Sequence, residues 1–252
     1  MTRVEALTLD LDGTLLDGSP WREVIADTCR EIAAALPGLD AARLADTNHE
    51  VWERYWPEVE DQWVLGEIDG RTVTTTAWRR TMAACGVDEE PSTQLAVEIY
   101  LRNRRAAFRL FDDVRPFFEA VRNRIPMALI TNGASDTQRE ALGAVGIDPE
   151  FKVIAVSGEL GIAKPDPAIF DMVLDTLGAK PDTAWHVGDS LTTDVAGARA
   201  AGMTAVWLNR NGAIRSQADA EPDYEIRSLL ELARALDVHR GSLGSIRYDR
   251  RP

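Results

Sequence analysis

From about residue 112 onward, short apolar runs alternate with amphipathic helical stretches, and this alternation constrains the fold more than any other feature. The strand-like runs are Met127–Thr131, Val153–Val156, Ala184–Gly188 and Thr204–Leu208, with helical patterns at about 135–145, 167–177 and 192–201 between them. Strands that alternate with helices predict a parallel sheet covered on both faces. A further apolar run, Ala6–Leu11, stops at Asp12-Gly13 and reads as a buried strand ending in a turn. Only helical patterns follow it for about ninety residues. It must therefore join the same sheet, because helices alone do not bury both of its faces. The expected fold class is α/β: a doubly wound parallel sheet, a Rossmann-like core, interrupted by a helical insertion.

The insertion spans residues 18–110, between core segments 1–17 and 111–240. Four helices are expected in it, at about 21–36, 41–63, 71–85 and 92–109. Ser19-Pro20 offers an N-cap and a first-turn proline for the first. Pro57 should kink or break the second, and Gly86 should stop the third. Trp21, Trp52, Trp56, Trp63 and Trp78 concentrate here and are expected to form its core, unless one or two face the sheet. The run Arg102, Arg104, Arg105 and Arg109 reads as a solvated helical face, with the alternative that one of them reaches an anionic group of a ligand. Residues 241–252 read as a flexible tail.

The net charge of −13 argues against a nucleic-acid partner, which needs clustered Lys and Arg. It leaves room for a small anion beside a local positive group or a bound metal. No apolar run reaches transmembrane length and no signal peptide is visible, so a soluble cytoplasmic protein without a membrane partner is expected. Cys29 and Cys85 lack metal-ligand spacing and read as free thiols in a reducing compartment. Nothing in the pattern distinguishes a monomer from a homodimer.

In an open parallel sheet, ligands bind beyond the carboxyl ends of the strands. Polar residues gather at those ends. Asp10, Asp12, Gly13 and Thr14 follow the first strand, and Thr131, Asn132 and Gly133 the second. Lys164-Pro165-Asp166-Pro167 follows the third across a short loop; Asp189, Ser190 and Asp194 follow the fourth. Clustered carboxylates repel one another, and a divalent cation such as Mg²⁺ resolves the conflict with oxygen ligands. A carboxylate can then attack phosphorus. Lys164, Thr131 and the amides near Asn132 suit the diffuse negative charge of a phosphoryl group.

Taken together, Asp10-Leu11-Asp12-Gly13-Thr14, Ile130-Thr131-Asn132-Gly133, Lys164-Pro165-Asp166-Pro167 and Gly188-Asp189-Ser190-Leu191-Thr192-Thr193-Asp194 resemble the four ordered motifs of the haloacid dehalogenase superfamily. The resemblance implies a capped phosphatase, with the 18–110 insertion as the cap. It implies that Asp10 attacks phosphorus and ligates Mg²⁺, and that Asp12 acts as general acid and base while its carbonyl binds the metal. Thr131, the Asn132 amide and Lys164 would hold the phosphoryl group. Asp189 would ligate Mg²⁺, and Asp194 would act from the outer shell. Gly66-Glu67-Ile68 loosely resembles the family's specificity loop.

The substrate expected is a small phosphorylated metabolite, such as a nucleoside monophosphate or a sugar phosphate. The texture is similar to members acting on pyrimidine nucleotides or acylneuraminate phosphate. A phosphomutase uses the same core and stays open as an alternative. Family dehalogenases need no metal and carry an aromatic residue where this chain has Asp12. A poor alkoxide leaving group needs the acid that Asp12 offers. A non-catalytic binding module fits poorly with an intact set of Asp10, Asp12, Thr131, Lys164 and Asp189. Ser190 is expected to cap the helix after it, and His186 to sit in the core. Glu159 reads either as a solvated loop acid or as a neighbour of the site.

Overall fold

The computed structural model describes residues 4–238. The first strand, β1 (Ala6–Leu9), leads into four helices: α1 (Trp21–Ala35), α2 (Ala41–Val64), α3 (Gly70–Ala84) and α4 (Glu90–Ala107). The chain continues through α5 (Val114–Val121), β2 (Met127–Thr131), α6 (Ser135–Val145), β3 (Val153–Val156), α7 (Ser157–Leu160) and α8 (Pro167–Leu177). It ends with β4 (Ala184–Gly188), α9 (Ala196–Ala200), β5 (Thr204–Leu208), β6 (Tyr224–Ile226) and α10 (Leu229–Val238).

The six strands form one parallel sheet in the order β3-β2-β1-β4-β5-β6. Strand order reverses beside β1, so β2 and β4 diverge from it on opposite sides and leave a crevice at their carboxyl ends. Alternate residues face opposite layers. Leu7, Leu9, Leu129 and Val187 pack under α5, α6 and α10, whereas Ala6, Ala128, Ile130 and Ala184 pack under α8 and α9. Small alanines on the second face let α8 and α9 lie close. Gly197 takes this furthest: an added Cβ would come within 2.6 Å of the Phe170 ring.

The helices α1–α4 bury their own core of Cys29, Ile32, Leu44, Trp78, Met82 and Ile99. A second cluster, Tyr55, Val59, Val73 and Ala77, gathers Trp52, Trp56 and Trp63 around it. Trp21 departs from the expected core role: it is 39% exposed and meets Phe108 edge to face. Pro57 does not break α2, because it lies on the exposed face where water can serve the carbonyl it orphans. Ser19 does not cap α1; its hydroxyl and amide both go to Asp17.

Four core elements were not anticipated. Helix α5 has 8 residues, α7 has 4 and β6 has 3, too few for any of them to display a period, and α10 follows at the chain's end. The stretch expected as a helix at 192–201 opens instead as a π turn, Leu191–Val195. The tail expected over 241–252 lies outside the described residues. No described helix is long and apolar enough to cross a membrane.

Candidate active site

Buried charge occupies the crevice. Asp10, just past β1, is 6% exposed, and Lys164, in the loop between α7 and α8, is 4% exposed. Lys164 Nζ donates to Asp10 Oδ1 at 2.6 Å and to Asp194 Oδ1 at 2.6 Å. Asp194 Oδ2 accepts from the Ser190 amide at 3.0 Å. His186 Nε2 lies 3.1 Å from Asp194 Oδ1, and its Nδ1 lies 2.8 Å from Thr8 Oγ1. Both Asp194 oxygens are thus engaged by protein.

Local sequence explains this placement. The π turn returns Asp194 beneath the end of β4. Gly188 is needed there, since an added Cβ would lie 2.1 Å from Asp194 Cγ. Ser190 caps the turn by accepting from the Thr193 amide at 3.2 Å. Asn132 clamps the lysine loop: its Oδ1 accepts from the Lys164 amide at 2.9 Å and its Nδ2 donates to the Lys164 carbonyl at 2.8 Å. Thr131 ends β2, buried and in register with Val156.

Asp12 and Asp189 stand at the open rim. Gly13, at φ +76°, brings them together; an added Cβ would lie 2.5 Å from Asp189 Oδ2. The Asp12 side chain turns toward α6, where Gln138 Nε2 donates to Asp12 Oδ2 at 3.0 Å. Asp10, Asp189 and Asp194 each offer a carboxylate oxygen within 4.8 Å of the others. This all-oxygen donor set fits a hard divalent cation. The Asp12 carboxylate is not part of that cluster. With Asp194 occupied by Lys164 and His186, Asp10 and Asp189 are the side chains free to hold such a cation.

The electrostatics agree. Burial pushes the Asp10 carboxyl up to about 8, and Asp194 and Asp189 add to the shift against the pull of Lys164. Loss of water to the crowded crevice walls, together with Asp194, pushes Asp189 up to about 6. The same partial desolvation raises Asp12, opposed by the Gln138 hydrogen bond and by Lys164. Burial works against the Asp194 charge as well, but Lys164 and His186 outweigh it and hold that carboxyl below its ordinary range. Burial likewise opposes the Lys164 charge, and Asp10 and Asp194 outweigh it, so the ammonium is held firmly protonated. Burial lowers His186 and favours its neutral form. Three acids around one lysine leave excess negative charge, which a cation would balance.

The far wall of the crevice comes from α2, α3 and α4. The Trp63 ring lies against Gly133, where an added Cβ would be 2.4 Å from Trp63 Cη2. Ser157 Oγ donates to the Val64 carbonyl at 2.5 Å and accepts from the Gly133 amide at 2.8 Å. Gly66, in the loop likened to a specificity loop, packs on the backbone of Gly158, whose carbonyl would be 2.0 Å from an added Cβ. The Asp136 carboxylate accepts from the Gly70 and Arg71 amides at 2.9 and 3.0 Å. Arg104 is not solvated: it is buried and ion-paired with Glu140 of α6. Arg102 and Arg109 do stay at the surface, paired with Glu31 and Asp17. Glu159 turns to Arg139 and Ser135. A pocket of about 330 Å³ opens beside Asp12 and Asp189, walled by Leu16, Trp21, Phe108 and Arg109.

Gln138 was missed from the sequence, although a signal existed. It falls on the buried stripe of α6 with Ala141, Leu142 and Val145, a polar residue at an apolar position.

Comparison with known proteins identifies the class to which this sheet, with its acid cluster and buried Lys164 at the carboxyl edge, belongs. Residues 4–202 match the haloacid dehalogenase-like hydrolase family, and the chain belongs to it. It is 36% identical over 254 residues to the phosphoserine phosphatase of Thermus thermophilus, covering 92% of this chain and 100% of that protein. Among solved structures, the HAD-hydrolase YfnB from Bacillus subtilis bound to magnesium superposes with a TM-score of 0.66 at 26% identity, covering 94% of this chain and 100% of that one. The 2-haloacid dehalogenase from Pseudomonas syringae pv. Tomato DC3000 also gives 0.66, at 28% identity, covering 93% of this chain and 98% of that one.

Proposed function

We propose that this chain is a Mg²⁺-dependent phosphomonoesterase acting on a small phosphorylated metabolite through an aspartyl-phosphate on Asp10. One observation carries the reading: Lys164 bridges Asp10 and Asp194 beside Asp189, while a second aspartate, Asp12, stands two residues after Asp10 with its carboxylate outside the acid cluster. That arrangement offers a nucleophile and a separate proton donor.

In the first half-reaction, an Asp10 oxygen attacks phosphorus and Asp12 protonates the leaving oxygen as its bond to phosphorus breaks. In the second, Asp12 takes a proton from the attacking water, and the Asp10 carboxylate leaves. Lys164, the Thr131 hydroxyl and the Asn132 amide hold the phosphoryl oxygens. Asp10, Asp189 and the Asp12 carbonyl would hold Mg²⁺, which supplies charge neutralisation at the phosphoryl group when bound. Asp194 orients Lys164.

Residues 18–110 serve as a cap over a core of residues 1–17 and 111–240. The cap excludes bulk water from the reaction. The pocket of about 330 Å³ beside Asp12 suits a metabolite-sized leaving group. Two free thiols, Cys29 and Cys85, fit a reducing cytoplasm.

The likeness to a 2-haloacid dehalogenase gives the rival reading, and Asp12 weighs against it, since a halide needs no proton to leave. The test is phosphate release over a panel of phosphoserine, acylneuraminate phosphate, nucleoside monophosphates and sugar phosphates, with and without Mg²⁺, beside Asp10→Asn. Turnover that requires both Mg²⁺ and Asp10 supports the reading. No turnover of any ester, or undiminished turnover in the variant, refutes it. Metal-free chloride release from a 2-haloacid would establish the rival, and transfer of the phosphoryl group within a sugar phosphate would establish a phosphomutase.

A further inference from the structure

We propose that Gln138 is a positioning residue that fixes which oxygen of Asp12 carries the transferred proton. This rests on the phosphomonoesterase reading. Gln138 is 1% exposed, on a helical face otherwise apolar. A buried carboxamide is costly unless it is hydrogen-bonded. Its Nε2 donates to the Asn132 carbonyl at 2.7 Å and to Asp12 Oδ2 at 3.0 Å. A backbone carbonyl only accepts, so the amide has one workable orientation; the flipped one would set oxygen against oxygen. Both N–H groups are then spent, one on each acceptor.

The consequence falls on Asp12. Its Oδ2 is held as an acceptor, so Oδ1 is the oxygen that gives and takes the proton. Among the described residues, no other hydrogen bond holds this carboxylate. The terminal torsion of an aspartate is broad, and without Gln138 the carboxyl would turn freely. The neighbouring backbone is shaped for the contact. An added Cβ on Gly133 would lie 2.7 Å from Gln138 Nε2, so only glycine lets the amide lie this close.

In the first half-reaction, the proton on Oδ1 passes to the leaving oxygen, which keeps the electron pair of the broken P–O bond. Asp12 is left as a carboxylate with Gln138 still on Oδ2. In the second, Oδ1 takes a proton from water as the water oxygen bonds to phosphorus, and the electron pair of the Asp10–phosphorus bond returns to Asp10.

A leaving group that departs without a proton should barely notice the loss of Gln138. The experiment compares kcat/KM with Mg²⁺ on 4-nitrophenyl phosphate and on the best alkyl phosphate of the panel, in wild type, Gln138→Met and Gln138→Glu. The two variants keep the side-chain length, and thermal melts establish that at least one folds. The expected result is a loss of roughly thirtyfold or more on the alkyl ester and about twofold on the aryl ester. Asp12→Asn should show the same bias, more strongly. Equal losses on both esters would mean that Gln138 is merely structural, and no loss on either would mean that Asp12 does not depend on it. Both results overturn the proposal while leaving the reaction intact. A wild type inactive on every ester would instead remove the reading on which it rests.

Discussion

The two walls of the crevice are made of opposite materials. The floor, at the ends of β1, β2 and β4, is a buried chain of ionisable groups in which Lys164 joins Asp10 to Asp194 and Asp194 contacts His186. The roof, from α2, α3 and α4, reaches the core mainly through a tryptophan ring and backbone groups (the Val64 carbonyl, the Gly66 turn, and the Gly70 and Arg71 amides), with the Arg104–Glu140 ion pair as a charged side-chain contact. A buried charge network tolerates almost no change, since every member depends on its partners. Backbone contacts place few demands on side-chain type. On the proposed mechanism the chemistry is therefore tied to the floor, while the roof is free to vary in what it presents to a substrate.

The sharpest way to break this contrast is to remove the charge at the centre of the floor. Lys164→Met should abolish turnover and destabilise the fold by about 3–5 kcal/mol, because it strands Asp10 and Asp194 without their cation. Urea melts and phosphate release measure the two effects together. Asp10→Asn should separate them. It should cost about four orders of magnitude in turnover. Stability should change little, because one carboxylate leaves an overcrowded acid cluster while the Lys164–Asp194 contact remains. If Asp10→Asn unfolds the protein as readily as Lys164→Met, the floor is a structural core first, and its link to catalysis weakens.

The floor was also the more legible wall. Asp10, Thr131 and Asp189 stand where apolar runs of strand period end, and a parallel sheet brings such ends together. Asn132 was legible in place, and its backbone amide keeps the phosphoryl role proposed for it. What could not be read is that its side chain clamps the backbone of Lys164, 32 residues away, a pairing that no local pattern encodes. Arg104 looked like part of a solvated basic face, and only the fold reveals Glu140 opposite it. Contacts made by the Val64 carbonyl or the Gly70 amide leave no trace in residue type at all. The roof's helices could be read from their period, but their docking could not.

Metal binding tests the floor at smaller amplitude. The folded Asp10 carboxyl is raised to about 8, while an unfolded aspartate titrates near about 4. Between these values the native protein holds more protons than the unfolded chain. Its metal-free contribution to stability is full below about pH 4 and is lost as the pH climbs through about 8. If Asp10 holds Mg²⁺ as proposed, the metal has to displace that proton, and it should bind more tightly as the pH rises. The gain in Tm from saturating Mg²⁺ should be roughly twice as large or more at pH 8 as at pH 5.5. Calorimetric scans at the two values measure it. A gain independent of pH would detach Asp10 from the metal.

The smallest effect is expected at the roof, and its kinetic form matters more than its size. The Asp136 carboxylate, on α6, receives the first two amides of α3 and so caps a roof helix from the floor side. Asp136→Ala leaves those donors to water and to Asp69, which already accepts from the Thr72 amide at 2.6 Å. A lost cap of this kind costs about 1 kcal/mol. If the roof only encloses and selects substrate, that loss should appear as a severalfold rise in KM with kcat nearly unchanged, since binding is weakened equally in ground and transition states. Steady-state kinetics on the best ester of the panel decide the point. A fall in kcat at constant KM would mean that docking of α3 is felt in the transition state itself, and the division of labour between the two walls would have to be abandoned.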